Sequence, residues 1–139
     1  MKYKLNNFYI DGIKADKIAK KFLTPLYCYS YNQLKKNIFN FRNNFKNISH
    51  LTCFAVKANS NKFLLKEIGK LGLGADVVSI GELMVALKAG IKPNKIVFSG
   101  VGKTTEEINY AINKKILLIN AESKSEIFKI EKLPKIKKN

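Results

Sequence analysis

The sequence predicts an α/β fold built around a parallel sheet. Three observations carry that reading. Short, nearly continuous apolar runs, "LTCFAV", "ADVVS", "KIVFSG" and "ILLINA", recur through residues 51–121. Runs of this kind suit strands covered on both faces, as in a parallel sheet. Each run leads into a stretch with apolar residues at helical spacing. The joins between them are short and contain Gly, Ser and Asn. Periodicity alone does not separate a barrel from a doubly wound sheet.

Taken in order, "FYIDGIKADKIAKKFLTPLYCYS" opens with an extended segment, turns at Asp11-Gly12 and continues as a helix. Ile18, Ala19 and Phe22 give that helix its apolar spacing, and Pro25 closes it. "LYCYS" is rich in β-forming residues and reads as extended. "YNQLKKNIFNFRNNF" carries Leu34, Ile38, Phe41 and Phe45 as a helical stripe. Four strand–helix units follow. "LTCFAV" precedes the helix "NKFLLKEIGKLG", with Leu64, Leu65, Ile68 and Leu71 on one face. "ADVVS" precedes "GELMVALKAG", where Gly90 is placed as a terminator. "KIVFSG" precedes "TEEINYAINKK", which Thr104 or Thr105 can cap, with Glu106 and Glu107 in the first turn. "ILLINA" precedes "SKSEIFKIEKL", ended by Pro134.

Composition narrows the class. The chain has 139 residues, 46% hydrophobic and 26% charged, enough for an ordinary globular domain. No apolar run approaches the roughly 20 residues of a membrane span. The N-terminus lacks the apolar core and cleavage site of a signal peptide, so the expected location is the cytoplasm. Cys28 and Cys53 have no metal-type spacing and read as buried free thiols. A net charge of +16 would ordinarily suggest nucleic acid. The charge is almost all scattered lysine, however, with Arg42 the single arginine, and only the final "KLPKIKKN" is a cluster. Arginine forks carry most base and phosphate recognition, so this distribution argues against a nucleic-acid partner.

Sites in α/β folds form at the C-terminal ends of strands. In "CFAVKANSN", Lys57 directly follows the apolar run. Strand alternation would put Cys53, Ala55 and Lys57 on one face, with Phe54 and Val56 on the other. The ordinary fate of a strand-end lysine is to extend into solvent. A lysine desolvated at such a place can instead attack a carbonyl as a free amine. Asp76 begins the next strand beside Gly74, where an acid is costly if buried without a partner. Glu82 opens the following helix, where the dipole favours a carboxylate. His50 lies in a polar loop and reads as a surface residue. Gly100-Val101-Gly102-Lys103 resembles a phosphate cradle but lacks the full P-loop spacing, and a strand-to-helix turn explains it.

Together and in this order, "FAVKANSN", "GLGADVVSIGEL", "KAGI", "IVFSGVGK" and "LINAESKSE" resemble the N-terminal portion of the diaminopimelate decarboxylases. These are pyridoxal 5'-phosphate enzymes with an alanine-racemase-type barrel. The resemblance begins at "TPLYCYS" and covers nearly the whole chain. Alanine racemases share "VKAN" but continue into Tyr-Gly-His-Gly, where this chain has Ser60-Asn61-Lys62. Ornithine-type decarboxylases usually vary the residues around "VKAN" and "GADVVS". The resemblance implies a (β/α)8 TIM-type barrel, represented here by about four β/α units. Residues 1–24 would be an N-terminal extended segment and helix, and residues 25–139 the first half of the cofactor-binding barrel.

Carried over by position, Lys57 matches the lysine that joins covalently to pyridoxal phosphate. Asp76 and Glu82 match acids lining the cofactor pocket, and Ala55 and Asn59 flank the lysine. Ile80 departs from the family, which usually has Gly there. The implied reaction converts meso-diaminopimelate to L-lysine and CO2, in a homodimer for the full-length family. A complete barrel needs about 250 residues, so a fragment or truncated product is expected. Absent are the later histidine, the glycine-rich phosphate loop, the acid that partners the pyridine nitrogen, the substrate arginine, and the Cys and Tyr supplied across the dimer. The isolated chain is then expected to be inactive. The alternatives are a non-catalytic half-barrel that self-associates or pairs with a separate C-terminal partner, or another member of the family, an ornithine-type decarboxylase or an alanine racemase.

Overall fold

The computed structural model describes residues 1–133; Pro134 and most of the basic "KLPKIKKN" cluster lie outside them. The chain divides into two compact units, Met1–His50 and Leu51–Asn139.

In the first unit, β1 (Lys2–Lys4), β2 (Asn7–Ile10) and β3 (Ile13–Lys14) form an antiparallel sheet in that order. Two-residue turns join them. Asp11 and Gly12 have φ of 48° and 85°, and Leu5 and Asn6 have 45° and 57°. Paired positive φ values mark the tight hairpin turns whose twist matches that of the strands. The first turn matches the expected Asp11-Gly12 reversal. The second was hidden, because leucine rarely adopts positive φ.

Helix α1 (Ala15–Phe22) follows, with Ile18 and Ala19 half-buried. "LYCYS" does not form a strand. Its last residue instead caps α2 (Tyr31–Asn43): Ser30 Oγ accepts the Gln33 N–H at 3.0 Å. That hydroxyl also donates to Asp11 Oδ1, while Asp11 Oδ2 accepts the Asn32 N–H at 3.2 Å. The polar cap therefore overrides the β propensity of the segment. Of the expected stripe, Leu34 and Ile38 are half-buried and Phe41 and Phe45 are exposed. Phe45 contacts the rings of Phe41 and His50.

The second unit alternates strand and helix: β4 (Cys53–Ala55), α3 (Lys62–Lys70), β5 (Gly74–Val77), α4 (Ile80–Lys88), β6 (Ile96–Phe98), α5 (Thr105–Asn113), β7 (Leu118–Ile119) and α6 (Lys124–Glu131). All four strands are parallel, in the order β4-β5-β6-β7. Each helix thus returns the chain to the neighbouring strand. A doubly wound sheet would reverse its order at a switch point, and these strands show no reversal. Successive helices pack side by side, α3 on α4, α4 on α5 and α5 on α6. The result is an arc of a β/α barrel.

Register explains the two faces. Phe54, Ala75 and Ile96 share one row, and Val77, Phe98 and Ile119 share the next. This side meets the helices, and Ala75, Val77, Ile96 and Phe98 are fully buried with Leu65, Ile68, Leu83, Ala86, Ile108 and Ala111. Each large side chain buried here contributes roughly 1.5–3 kcal/mol. The opposite face carries Cys53 with Gly74, then Ala55, Asp76, Val97 and Leu118 in one row. Close strand approach fixes Gly74, since a Cβ there would lie 2.1 Å from the Lys95 carbonyl oxygen.

Candidate active site at the strand-end rim

Lys57 and Asn59 follow β4, Asp76 lies near the C-terminal end of β5, and Glu82 opens the helix after it. Strand β4 stops at Ala55, and Val56–Ala58 forms a single 3-10 turn. Lys57 is therefore placed by that turn. This corrects the expectation that strand alternation carries it onto the face of Cys53 and Ala55. Val56 is fully buried beside it, whereas Lys57 is exposed. Its ammonium takes no hydrogen bond or ion pair among the described residues. Two asparagines shape the backbone that follows. Asn59 Oδ1 accepts the Asn61 N–H at 2.9 Å. Asn61 Oδ1 accepts from Phe63 and Leu64 and so caps α3.

Asp76 occupies the same row as Ala55, two residues before Lys57. It is half-buried and has a partner: Ser99 Oγ donates to Asp76 Oδ1 at 2.7 Å. Asn120 Nδ2 in turn donates to Ser99 Oγ at 3.0 Å. Sequence reading missed Ser99 and Asn120, although both directly follow strands. Cys53 lies one pleat below, and burial pushes its thiol pKa up, with the charge of Asp76 adding to the effect.

Glu82 sits in the first turn of α4, as expected, and its carboxylate has a specific task. Ser79 Oγ accepts the Glu82 N–H at 3.2 Å, while Glu82 Oε2 accepts the Val78 N–H at 2.9 Å. Glu82 thus pins the turn from β5 into α4. Ile80 adopts the first helical position of α4 without positive φ, so this backbone accommodates the departure from glycine. Thr104 caps α5 in a reciprocal capping box with Glu107. The other Glu107 oxygen accepts the Ile80 N–H at 3.1 Å, joining the starts of α4 and α5.

The Gly100–Lys103 turn is not a phosphate cradle in this form. Lys103 is buried, pairs with Glu126 at 3.1 Å and donates to the Gly100 carbonyl. Its charge is consumed inside the fold.

Residues 31–138 match the family model described as the pyridoxal-binding domain of the pyridoxal-dependent decarboxylases. The chain belongs to that family. Diaminopimelate decarboxylases are among the proteins it is similar to. It is 45% identical over 127 residues to the diaminopimelate decarboxylase of Aquifex aeolicus, covering 91% of this chain and 30% of that protein. It is 47% identical over 116 residues to the Helicobacter pylori enzyme, covering 84% and 29%. The M. jannaschii diaminopimelate decarboxylase structure superposes with a TM-score of 0.90 at 40% identity, over 93% of this chain and 31% of that one. The Entamoeba histolytica ornithine decarboxylase reaches 0.60 at 29% identity, over 70% of this chain and 31% of that one. The fold is therefore part of the barrel of a pyridoxal-dependent decarboxylase. The chain spans about a third of the length of the curated relatives it matches.

The rim suits such a cofactor in its donor chemistry. Lys57 is exposed, so the described residues do not supply the desolvation that frees a lysine as an amine; they leave its nitrogen without an ion-pair partner among them, open to a carbonyl group. The adjoining row supplies a small side chain, Ala55, and a hydrogen-bonded acid, Asp76.

Proposed function

We propose that this chain is the lysine-bearing portion of a decarboxylase that converts meso-diaminopimelate to L-lysine and CO2 with pyridoxal 5'-phosphate. The observation that carries this reading is Lys57, exposed and without an ion pair among the described residues, in the turn that directly follows β4. It lies in a chain 45% identical to a diaminopimelate decarboxylase. A structure of the Helicobacter pylori enzyme is complexed with L-lysine, which supports the same product here.

When bound, pyridoxal phosphate supplies an electron sink for the pair left on the α-carbon as CO2 departs. Lys57 offers the amine that holds the cofactor. Ala55 keeps the row beside it low. Asp76 provides a fixed negative charge on that row. Asn59 and Glu82 hold the two backbone turns that frame the rim, through the Asn61 and Val78 amides. No described helix is long and apolar enough to cross a membrane. The reading places the full-length enzyme in the cytoplasm as a homodimer acting on a small amino acid, without a nucleic-acid partner.

To test it, pyridoxal phosphate is added to the chain and its visible absorbance followed. A new band that Lys57→Ala removes is expected, with no turnover of meso-diaminopimelate by this chain alone. An unchanged band in Lys57→Ala overturns the assignment of the lysine, and robust turnover overturns the inactivity.

A further inference from the structure

Ser99 and Asn120, which lie in the quoted motifs but had no role assigned from the sequence, form a chain of hydrogen bonds that ends on Asp76. Ser99 Oγ donates its single proton to Asp76 Oδ1 and accepts the Asn120 amide. With its proton committed in this way, the hydroxyl makes Asp76 a hydrogen-bond acceptor. Ser99 follows β6 and Asn120 follows β7, so the relay crosses three neighbouring strand ends. Backbone pairing sets its geometry: Ser99 N–H donates to Val77 at 2.8 Å and Asn120 N–H to Phe98 at 2.9 Å.

A closed ring of contacts holds the two loops that carry these residues. Lys103 Nζ joins the Gly100 carbonyl to Glu126 Oε1. Glu126 Oε2 accepts the Glu122 N–H at 2.7 Å. Glu122 Oε1 then accepts the Gly100 N–H at 3.2 Å, which closes the ring. Gly100 adjoins Ser99, and Glu122 lies two residues past Asn120. The buried Lys103–Glu126 pair thus fixes both loops from the helix side of the rim.

We propose that Ser99 and Asn120 are positioning residues that orient the Asp76 carboxylate on the rim beside Lys57. Among the described residues only Oδ1 of Asp76 is engaged, so the relay leaves Oδ2 as the oxygen for a bound group. For its consequence at Lys57 the inference rests on the pyridoxal reading, whereas the orientation of Asp76 does not.

The test uses two readouts on the whole chain. The first is the apparent affinity for pyridoxal phosphate, read from the visible band. Ser99→Ala is expected to weaken it about tenfold, the scale of one hydrogen bond to a charged group. Ser99→Thr, which keeps the hydroxyl, is expected to remain within about threefold. In an Asp76→Asn background, Ser99→Ala is expected to have little further effect. The second readout needs no cofactor. The pH profile of Cys53 alkylation in a Cys28→Ser chain senses how near the Asp76 carboxylate stands, and is expected to shift in Ser99→Ala, where that carboxylate is released to turn, but not in Ser99→Thr. Asn120→Ala, at an exposed position, serves as a second variant should Ser99→Ala not fold. Full additivity of Ser99→Ala with Asp76→Asn overturns the proposal. So does a Cys53 profile that neither Ser99→Ala nor Asn120→Ala moves. If the unaltered chain takes no pyridoxal phosphate while the Cys53 profile shifts, the pyridoxal reading fails and the positioning role stands.

Discussion

Gly74 has no room for a side chain. A methyl group there would meet the Lys95 carbonyl oxygen at 2.1 Å and the Cys53 sulfur at 2.8 Å. Backbone atoms cannot swing aside as a flexible side chain can, so β5 must separate from β6. Gly74→Ala is expected to cost at least the roughly 1–3 kcal/mol typical of overpacking, seen as a lower urea midpoint. The buried Lys103–Glu126 pair makes a second prediction. Lys103→Met leaves Glu126 buried without its partner, which costs about 3–5 kcal/mol. Adding Glu126→Leu is expected to recover part of that loss, which a double-mutant cycle in urea measures. At Asp11, the Ser30 hydroxyl, followed by backbone donors, lowers the carboxyl pKa. A depressed folded pKa means stability that is present above the ordinary carboxylate range and lost as pH falls through the lowered value. The Asn32 amide resonance is expected to follow this titration, and Asp11→Asn to flatten it.

At the scale of elements, helix starts were the most legible feature, because their chemistry is local. The sequence offers Thr104 or Thr105 as the cap of α5, and the structure selects Thr104, in a capping box with Glu107. Thr104→Ala is expected to cost about 1 kcal/mol, measured by thermal unfolding. The strands of the second unit were equally visible as apolar runs, since both of their faces need cover. Three features were not legible, each for a physical reason. "LYCYS" looked like a strand because propensity ignores Ser30, whose hydroxyl is committed to Asp11 and to the start of α2. Lys57 looked like part of a strand because alternation does not say where the pleat ends, and the turn at Val56–Ala58 ends it. Ser99 and Asn120 were missed because their relay depends on strand register, with partners 23 and 21 residues apart in the chain. The sequence motifs marked Lys57, which the structure places in the turn after β4, Asp76, which it places within β5, and Glu82, which it places in the first turn of α4.

Across the whole molecule, the sequential parallel order of β4 to β7 separates the barrel arc from the doubly wound sheet that periodicity had left open. That order matters for chemistry because it gathers all four strand ends on one rim. The far edge of the arc has an open, largely apolar hollow of about 420 Å³, lined by Lys115 and by Ile112, Ile116, Leu117, Leu118, Ile119 and Ile130. An apolar edge of this kind favours association. The chain is accordingly expected to elute above its monomer mass of 15.8 kDa in size-exclusion chromatography, and a well-behaved monomer would count against this. Lys57 is one of 26 basic side chains in the chain. The most direct test of its role is to add pyridoxal phosphate, reduce with borohydride and map the modified lysine by peptide mass spectrometry. The account predicts a pyridoxyl group concentrated on the peptide containing Lys57. Labelling spread evenly over the surface lysines, or concentrated at another one, would contradict it.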